Sequence, residues 1–203
     1  MIELKTENIS DEEKIKVLDE LKEVCSQCTA CGLSEGRNNT VWSDGNPNAK
    51  IVLIGEAPGQ NEDMRGVPFV GRAGQLLDKF LEEHNISRKN DLYICNTVKC
   101  RPPENRVPKP EEKQACRRYL DAQISLIRPK VILLCGSTAV QSMMETKLPI
   151  SKIRGQWFDG PFGSKMMPIF HPSYLLRNHS LEEGSPRWLM GSDLEEIKKF
   201  IKN

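Results

Sequence analysis

The stretch Ile51-Val52-Leu53-Ile54-Gly55-Glu56-Ala57-Pro58-Gly59 is the most direct indication of the fold of this chain. Its four apolar residues, stopped by a glycine, are typical of a short strand that is buried on both faces. The Gly-Glu-Ala-Pro-Gly sequence that follows predicts a tight turn in which the backbone can approach a ligand closely, with the Glu56 carboxylate at the mouth of a pocket. It lacks the Lys-Ser/Thr pair of a phosphate-binding loop, so we do not expect nucleotide hydrolysis.

Further apolar stretches alternate with helical patterns along the chain. Strands of similar character are predicted at residues 92–98, 131–134 and 166–170. Helices are predicted from a Ser10/Glu13 capping box to Cys25, then at 73–83, 111–127, 137–144 and 193–202. Strands that alternate with helices predict right-handed crossovers and a parallel sheet covered on both faces. We therefore expect an α/β fold, a three-layer α/β/α sandwich around a central four-stranded parallel sheet, in one domain over residues 1–203.

Charge is distributed unevenly along a chain whose net charge is only +1. Residues 1–24 carry eight acidic and four basic side chains, whereas residues 99–118 carry seven basic and three acidic ones, and residues 146–177 are also rich in basic side chains. Local basic segments of this kind favour a nucleic-acid partner. No apolar stretch is long enough for a membrane span and the N-terminus does not resemble a signal peptide, so we expect a cytoplasmic protein without membrane contact.

The seven cysteines fall into two groups. Cys95 and Cys135 lie within strand patterns and are expected to be buried thiols. The others have the spacing of metal ligands: Cys25, Cys28 and Cys31 at three-residue intervals, then Cys100 and Cys116 around a loop rich in Pro and Arg. Zinc and a [4Fe-4S] cluster both fit such a set, although a zinc ribbon usually repeats C-x2-C in its second half and Cys100 and Cys116 do not, which favours iron and sulfur. The spacing leaves the role of Cys25 open.

Unusual polar residues follow the predicted strands, where parallel sheets bind their ligands. Asn96 comes late in the second strand, and His171 precedes Pro172 after the fourth. An amide presents a donor and an acceptor on one edge, as a nucleobase does, and a neutral imidazole can donate to a carbonyl oxygen that gains negative charge. These two residues therefore predict a site that reads a base.

Several separated motifs occur in one order over nearly the full chain. They are G-E-A-P-G-x-x-E-D-x-x-G-x-P-F-V-G-x-A-G-x-L-L at 55–77, N-T-V-K-C-R-P-P-E-N-R at 96–106, Cys116, V-I-L-L-C-G at 131–136 and H-P-S-Y-L-L-R at 171–177. This arrangement resembles family 4 of the uracil-DNA glycosylases, the iron-sulfur enzymes of bacteria and archaea. The resemblance implies a monofunctional DNA repair enzyme that hydrolyses the N-glycosidic bond of deoxyuridine and leaves an abasic site.

The resemblance also implies roles for individual residues. The ligands of a [4Fe-4S] cluster would be Cys28, Cys31, Cys100 and Cys116, with the N-terminal helix and the Cys28/Cys31 segment packed on the Cys100–Cys116 loop and Cys25 outside the family pattern. The uracil pocket would include Gly55. In it, Phe69 would stack on the extruded base, Asn96 would pair with the O4 and N3 edge of the base, and Glu62 would lie near C5 and help exclude thymine. His171 would stabilise the leaving base at O2, and Glu56 would hold the hydrolytic water.

The expected partner is uracil-containing DNA, double- or single-stranded. Candidate phosphate contacts are Lys99, Arg101, Arg106 and Arg177, and candidates to press into the emptied base stack are Tyr174, Leu175 and Leu176. Apart from Lys99, beside the cysteines, the three pocket motifs contain no lysine, so we expect simple hydrolysis without strand cleavage. We expect a monomer, and partners such as a sliding clamp or another repair protein stay open.

Two other classes of function compete with this interpretation. One is an iron-sulfur electron-transfer protein, against which the pocket motifs argue. The other is a non-catalytic nucleic-acid binder with the same fold, against which the presence of Glu56, Asn96 and His171 argues. A related branch traps the abasic product through a histidine in the loop after the first motif, but residues 60–75 contain no histidine.

Overall fold

A computed structural model describes residues 9–144 and 146–202. The strands are β1 (Asp44–Gly45), β2 (Ile51–Gly55), β3 (Leu92–Asn96), β4 (Val131–Cys135), β5 (Phe158–Asp159) and β6 (Lys165–Ile169). The helices are α1 (Asp11–Ser26), α2 (Gln60–Arg65), α3 (Arg72–Glu83), α4 (Arg88–Asp91), α5 (Pro110–Ile127), α6 (Ser137–Met144), α7 (Ile150–Ile153), α8 (Pro172–Leu175) and α9 (Pro186–Lys202). Within these residues, no helix is both long and apolar enough to cross a membrane.

The strands form one mixed sheet in the order β1-β3-β2-β4-β6-β5. The four central strands run parallel, which confirms the predicted parallel sheet, while β1 and β5 add antiparallel edges. Each edge strand has only two residues, too few to show the alternation from which a strand is predicted. The sheet is therefore wider than the sequence indicates, but its centre is as expected.

Apolar side chains fill both faces of the sheet. Alternate residues of β2, such as Val52 and Ile54, pack with α1, α5 and α6, while Ile51 and Leu53 pack with α3 and α9. All five residues of β2, β3 and β4 are buried, as expected for strands covered on both sides. The result is the predicted three-layer sandwich.

Helix α1 begins at the predicted capping box. The Ser10 hydroxyl accepts from the Glu13 amide at 3.1 Å, and the Glu13 carboxylate accepts from the Ser10 amide at 3.0 Å. Two buried side chains, Leu18 and Cys25, join the core that α5 also lines. Because α1 ends at Ser26, the Cys28–Cys31 segment follows directly from its C-terminal end, against α5.

The order in which strands are added to the sheet reverses at β2. After β2 the chain adds β3 on one side, and then crosses to add β4 on the other. Ligands of open α/β sheets bind at the carboxyl ends of the strands beside such a reversal. The segments that follow β2, β3, β4 and β6 all meet at this edge, and they contain the residues predicted to read a base.

Candidate active site and cysteine site

Gly55 and Asn96 face each other at the ends of neighbouring strands. They are register partners of β2 and β3. A Cβ atom added to Gly55 would lie 2.4 Å from the Asn96 Oδ1 atom and 2.6 Å from the Phe69 ring. Only glycine leaves room for the ring and the amide to come together here. The structure thus brings together three of the residues that the sequence predicted for the base pocket.

Phe69 has a left-handed backbone, with φ of 52°, which is uncommon for a bulky residue. Arg88 holds this conformation, because its guanidinium donates to the carbonyl oxygens of Pro68 at 2.6 Å and Phe69 at 3.1 Å. The same guanidinium pairs with Asp44 and Asp78. A backbone outlier fixed in this way is typical of functional sites. Arg88 has no motif around it, and sequence reasoning missed it.

Glu62 ties the other side of the same loop. Its carboxylate accepts from the main-chain amides of Gly59 at 3.1 Å, Val70 at 2.9 Å and Gly71 at 2.8 Å. Hydrogen bonds to a charged acceptor are stronger than neutral ones. Glu62 therefore holds the loop that carries Phe69, which is a structural role that the sequence did not reveal. Its predicted place near uracil C5 stays a prediction.

His171 stands before α8 with its ring fixed by Ser173. The Ser173 amide donates to Nδ1 at 3.2 Å, and the Ser173 hydroxyl lies 2.8 Å from the same atom. Because Nδ1 accepts from an amide, the ring hydrogen of the neutral imidazole is on Nε2. Burial lowers the pKa of His171 to about 4, against the opposing charge of Glu62. The ring centre lies 5.7 Å from that of Phe69, so a neutral donor adjoins the ring that is predicted to stack on the base.

Glu56 is held by hydroxyl groups from the segments that follow the two neighbouring strands, β3 and β4. The hydroxyl of Thr138, which follows β4, donates to the Glu56 carboxylate. The Thr97 hydroxyl, after β3, donates to the Glu56 carbonyl oxygen at 2.5 Å. Sequence reasoning missed Thr138, although its place three residues after the end of β4 could have indicated it.

Five cysteines line one cavity between α1, α5 and the loop after β3. They are Cys25, Cys28, Cys31, Cys100 and Cys116. Three sulfurs accept N–H hydrogen bonds: Cys100 from the Arg37 guanidinium at 3.4 Å, Cys28 from the Arg118 guanidinium at 3.5 Å and Cys116 from the Lys99 main-chain amide at 3.3 Å. Such donors stabilise negative charge on sulfur. Both the donor set and its surroundings suit a thiolate-bound group.

The thiols differ in how they are surrounded. Burial raises the pKa of Cys25 to about 12. Burial acts in the same direction on Cys28, but hydrogen bonds from the Ala30 amide, Tyr119 and Arg118 outweigh it and lower the pKa of Cys28. In residues 9–144 and 146–202, no three His, Cys, Asp or Glu side chains are arranged around a single ion. In a four-iron cluster each cysteine binds a different iron, so its ligands need only border a common cavity.

Comparison with known proteins places this geometry in a family. A model described as the uracil DNA glycosylase superfamily matches residues 42–196. The chain belongs to this superfamily. The Type-4 uracil-DNA glycosylase of Thermotoga maritima is 49% identical over 189 residues, which cover 91% of this chain and 96% of the relative. The Type-4 enzymes of Sulfurisphaera tokodaii and Saccharolobus solfataricus are 38% and 37% identical, over 90% and 92% of this chain and 84% and 87% of theirs.

The DNA contacts predicted for this uracil DNA glycosylase superfamily member divide into buried and exposed residues. Lys99 and Leu175 are both 0% exposed, and the Lys99 ammonium is hydrogen bonded in the interior. Contacts with phosphate or with a base stack require an exposed side chain, so the predicted DNA contacts of these two residues are wrong. Leu175 faces the core because the short helix α8 turns it beneath the sheet edge.

The remaining predicted DNA contacts reach the surface. Arg101 donates to Asn105 at 2.7 Å, and both ends of the Arg106 guanidinium bind the carboxylate of Glu112. Tyr174 is 40% exposed, Leu176 is partly buried and Arg177 is exposed. Their contacts with DNA stay predictions, and the pairing of Arg106 with a buried carboxylate reduces the charge that it offers to a phosphate.

Proposed function

We propose that this protein hydrolyses the bond between deoxyribose and uracil N1 in DNA, which releases uracil and leaves an abasic site. The observation that carries the proposal is the convergence of the Asn96 amide, the Phe69 ring and the neutral His171 at one edge of the sheet. Membership of the superfamily and the similarity to Type-4 uracil-DNA glycosylases support it. The target nucleotide leaves the base stack to enter this pocket, at a cost of a few kcal/mol.

Recognition of the base is assigned to Asn96 and Phe69. The Asn96 amide offers an acceptor and a donor on one edge, which complement N3–H and O4 of uracil. Cytosine presents the reverse pattern, so an amide held in one orientation distinguishes the two bases. The Phe69 ring provides the face on which the flipped base stacks, and Arg88 and Glu62 fix the loop that carries it.

His171 stabilises the leaving base. Cleavage of the glycosidic bond places negative charge on uracil O2 and makes the sugar resemble an oxocarbenium ion. With its hydrogen on Nε2, neutral His171 donates a hydrogen bond to the developing anion. Its low pKa, due mainly to burial, keeps the ring in this form at neutral pH.

Glu56 is assigned to the attacking water. Glu56 directly follows the end of β2, and a hydrogen bond from Thr138 fixes one of its carboxylate oxygens. The second oxygen can accept a hydrogen bond from water and orient it toward the sugar. No lysine amine is assigned to the reacting sugar, so the product is an abasic site in an intact strand.

The cysteine cavity is assigned to a [4Fe-4S] cluster held by Cys28, Cys31, Cys100 and Cys116. N–H donors reach three of these sulfurs, and Arg37 also donates to the carbonyl oxygens of Ser26 and Cys28, so its cation is fixed beside the thiols. When bound, the group supplies iron–sulfur bonds that cross-link the end of α1 to the loop after β3. Cys25 lines the cavity as a fifth, deeply buried thiol.

Incubation with defined oligonucleotides tests the activity. Duplexes with uracil opposite G or A, and single strands with uracil, are treated with the purified protein and then with alkali. We expect strand breaks at uracil only after alkali, and none in matched oligonucleotides that contain thymine. A binder or an electron-transfer protein would give no abasic product from any substrate, and this result would refute the proposal.

Iron and sulfide analysis tests the cluster and its ligands. We expect iron and sulfide in the wild-type protein, loss of both in Cys100→Ala, and retention of both in Cys25→Ala. The two cysteines line the same cavity, so the second variant is a matched control for the loss of a thiol there. Zinc without sulfide in the wild type would contradict the assignment, as would loss of iron from Cys25→Ala alone.

A further inference from the structure

Lys99 is a fully buried cation without an acidic partner. The side chain is 0% exposed, and its ammonium donates to the carbonyl oxygen of Asn96 at 2.9 Å and to Gln123 Oε1 at 2.6 Å. It also lies 5.6 Å from the centre of the Trp42 ring. No carboxylate in the described part of the chain forms an ion pair with it. Its surroundings are neutral acceptors and an aromatic face, which favour a cation without neutralising it.

These neutral partners are themselves fixed. The Gln123 amide donates to the Trp42 carbonyl oxygen at 3.1 Å and to the Tyr93 hydroxyl at 3.0 Å, so its oxygen is turned toward Lys99. A buried charge without a counter-charge is strongly unfavourable, and neutral hydrogen bonds offset only part of that free energy. The fixed neutral partners of the Lys99 ammonium therefore imply that an anion lies close to it.

The neighbouring anion is provided by the cysteine cavity. Lys99 lines that cavity together with the cysteines, and its own main-chain amide donates to the Cys116 sulfur. A cluster bound by four thiolates carries net negative charge. Arg37 and Arg118 reach the sulfurs from their partly exposed side of the site, whereas Lys99 approaches from the interior.

We propose that Lys99 is the internal counter-cation of the cysteine site and that it couples the charge held there to the position of Asn96. The inference rests on the proposed function only for the presence of the cluster. With the cluster bound, the buried cation is balanced. Without it, the cation is left unbalanced beside the carbonyl oxygen of Asn96, at the strand end that reads the base.

The reduction potential of the cluster, measured on holoprotein without DNA, provides the test. Removal of a nearby positive charge disfavours the more negative, reduced cluster. Lys99→Met should therefore shift the equilibrium between oxidised and reduced cluster at least tenfold toward the oxidised form, about 59 mV for one electron. Lys109→Met removes the same charge from an exposed position on the same loop, where solvent screens it, and should shift the equilibrium less than twofold.

Loss of the cluster chromophore in excess chelator is a second readout. We expect several-fold faster loss from Lys99→Met than from the wild type or Lys109→Met. An unchanged potential and lifetime in Lys99→Met would overturn the proposal, and so would equal shifts in the two variants. Neither readout uses uracil, so a failure here is distinct from a failure of the proposed activity.

A second variant keeps the test decisive if Lys99→Met does not fold. Gln123→Glu leaves Lys99 in place but gives it a carboxylate partner, which offsets its charge toward the cluster. The reduction potential of the cluster should fall, as it should in Lys99→Met. An unchanged potential in Gln123→Glu would overturn the role of Lys99 as counter-cation.

Discussion

The base pocket and the cysteine site both adjoin Asn96, the first at its side-chain amide and the second through the Lys99 hydrogen bond to its carbonyl oxygen, but the two sites are held together by different interactions. In the pocket, Glu62 and His171 are fixed by main-chain amides, and the group proposed to stabilise the leaving base is a neutral imidazole. At the cysteine site, cations surround thiols that lie on α1, on α5 and on the loops between elements. The difference indicates that the pocket depends on where a few atoms point, whereas the cysteine site depends on charge balance.

The largest effect is expected for His171→Ala, which removes the donor to uracil O2. Loss of one donor to a developing anion slows catalysis by about 10²–10³-fold. Single-turnover kinetics should show this loss in uracil release, with DNA binding and the iron content unchanged. His179→Ala, on the exposed segment after α8, is the control and should release uracil at the wild-type rate. Undiminished activity in His171→Ala would refute the assignment.

Thr138→Val tests the alignment of Glu56. The substitution keeps the shape of the side chain but removes the donor to the Glu56 carboxylate. Misplacement of a catalytic group lowers the rate by about tenfold to hundredfold. We expect this loss in single-turnover rate with little change in substrate affinity, and near-complete recovery in Thr138→Ser. If Val and Ser behave alike, the hydroxyl does not position Glu56.

Glu62→Gln tests how the pocket loop is held. The amide has one acceptor oxygen in place of two charged ones, so at least one of the amides of Gly59, Val70 and Gly71 loses its partner. We expect a decrease of about 1–3 kcal/mol in the free energy of unfolding, measured by urea denaturation. Glu82→Gln, an exposed position on α3, should leave it unchanged. Equal stability of both variants would contradict the proposed clamp.

Arg37→Ala makes the corresponding change at the cysteine site. It removes donors to the carbonyl oxygens of Ser26 and Cys28 and to the Cys100 sulfur. We expect several-fold faster loss of iron in chelator, while uracil release per protein that retains its cluster stays near the wild-type rate. Arg65→Ala, an exposed change on α2, should not affect iron retention. A large loss in the rate of uracil release without loss of iron would mean that the base pocket also depends on Arg37.

The smallest effect is the pH dependence of stability due to His171. Its pKa falls from an ordinary 6.5 to about 4 on folding. Between these values the unfolded chain binds the proton and the folded protein does not, so this contribution to stability is present above pH 6.5 and is lost as the pH falls toward 4. Urea denaturation at pH 7.5 and 5 should show a smaller pH dependence in His171→Ala than in His179→Ala. Equal slopes would contradict the lowered pKa.

Much of the fold could be predicted because its strongest signals are local. The capping box at Ser10 and the four buried strands follow from neighbouring residues, and α6 was predicted with the same bounds as observed. The edge strands β1 and β5 were missed because two residues show no pattern. Helix α9 begins at Pro186 rather than near Asp193, because Met190 is the one fully buried residue among its first seven and the apolar repeat is weaker there.

The sequence could predict residues that come together at the site, but not the side chains that support them. The sequence indicated Asn96, Phe69 and His171, and the structure places them together. The side chains that hold the site come from distant segments, as Arg88 does for Phe69. Lys99 was misassigned because a basic segment suggests exposure, whereas the fold turns this one side chain inward.

The pairing of Gly55 with Asn96 gives the hydrogen-bond register of β2 and β3 a part in choosing the base. Adjacent strands lie about 4.8 Å apart, so the backbone fixes the separation of the two positions. A slip of one residue would turn the Asn96 amide to the opposite face of the sheet, away from Gly55 and the Phe69 ring. The proposed selectivity for the base therefore depends on main-chain pairing as well as on the side chains assigned to contact it.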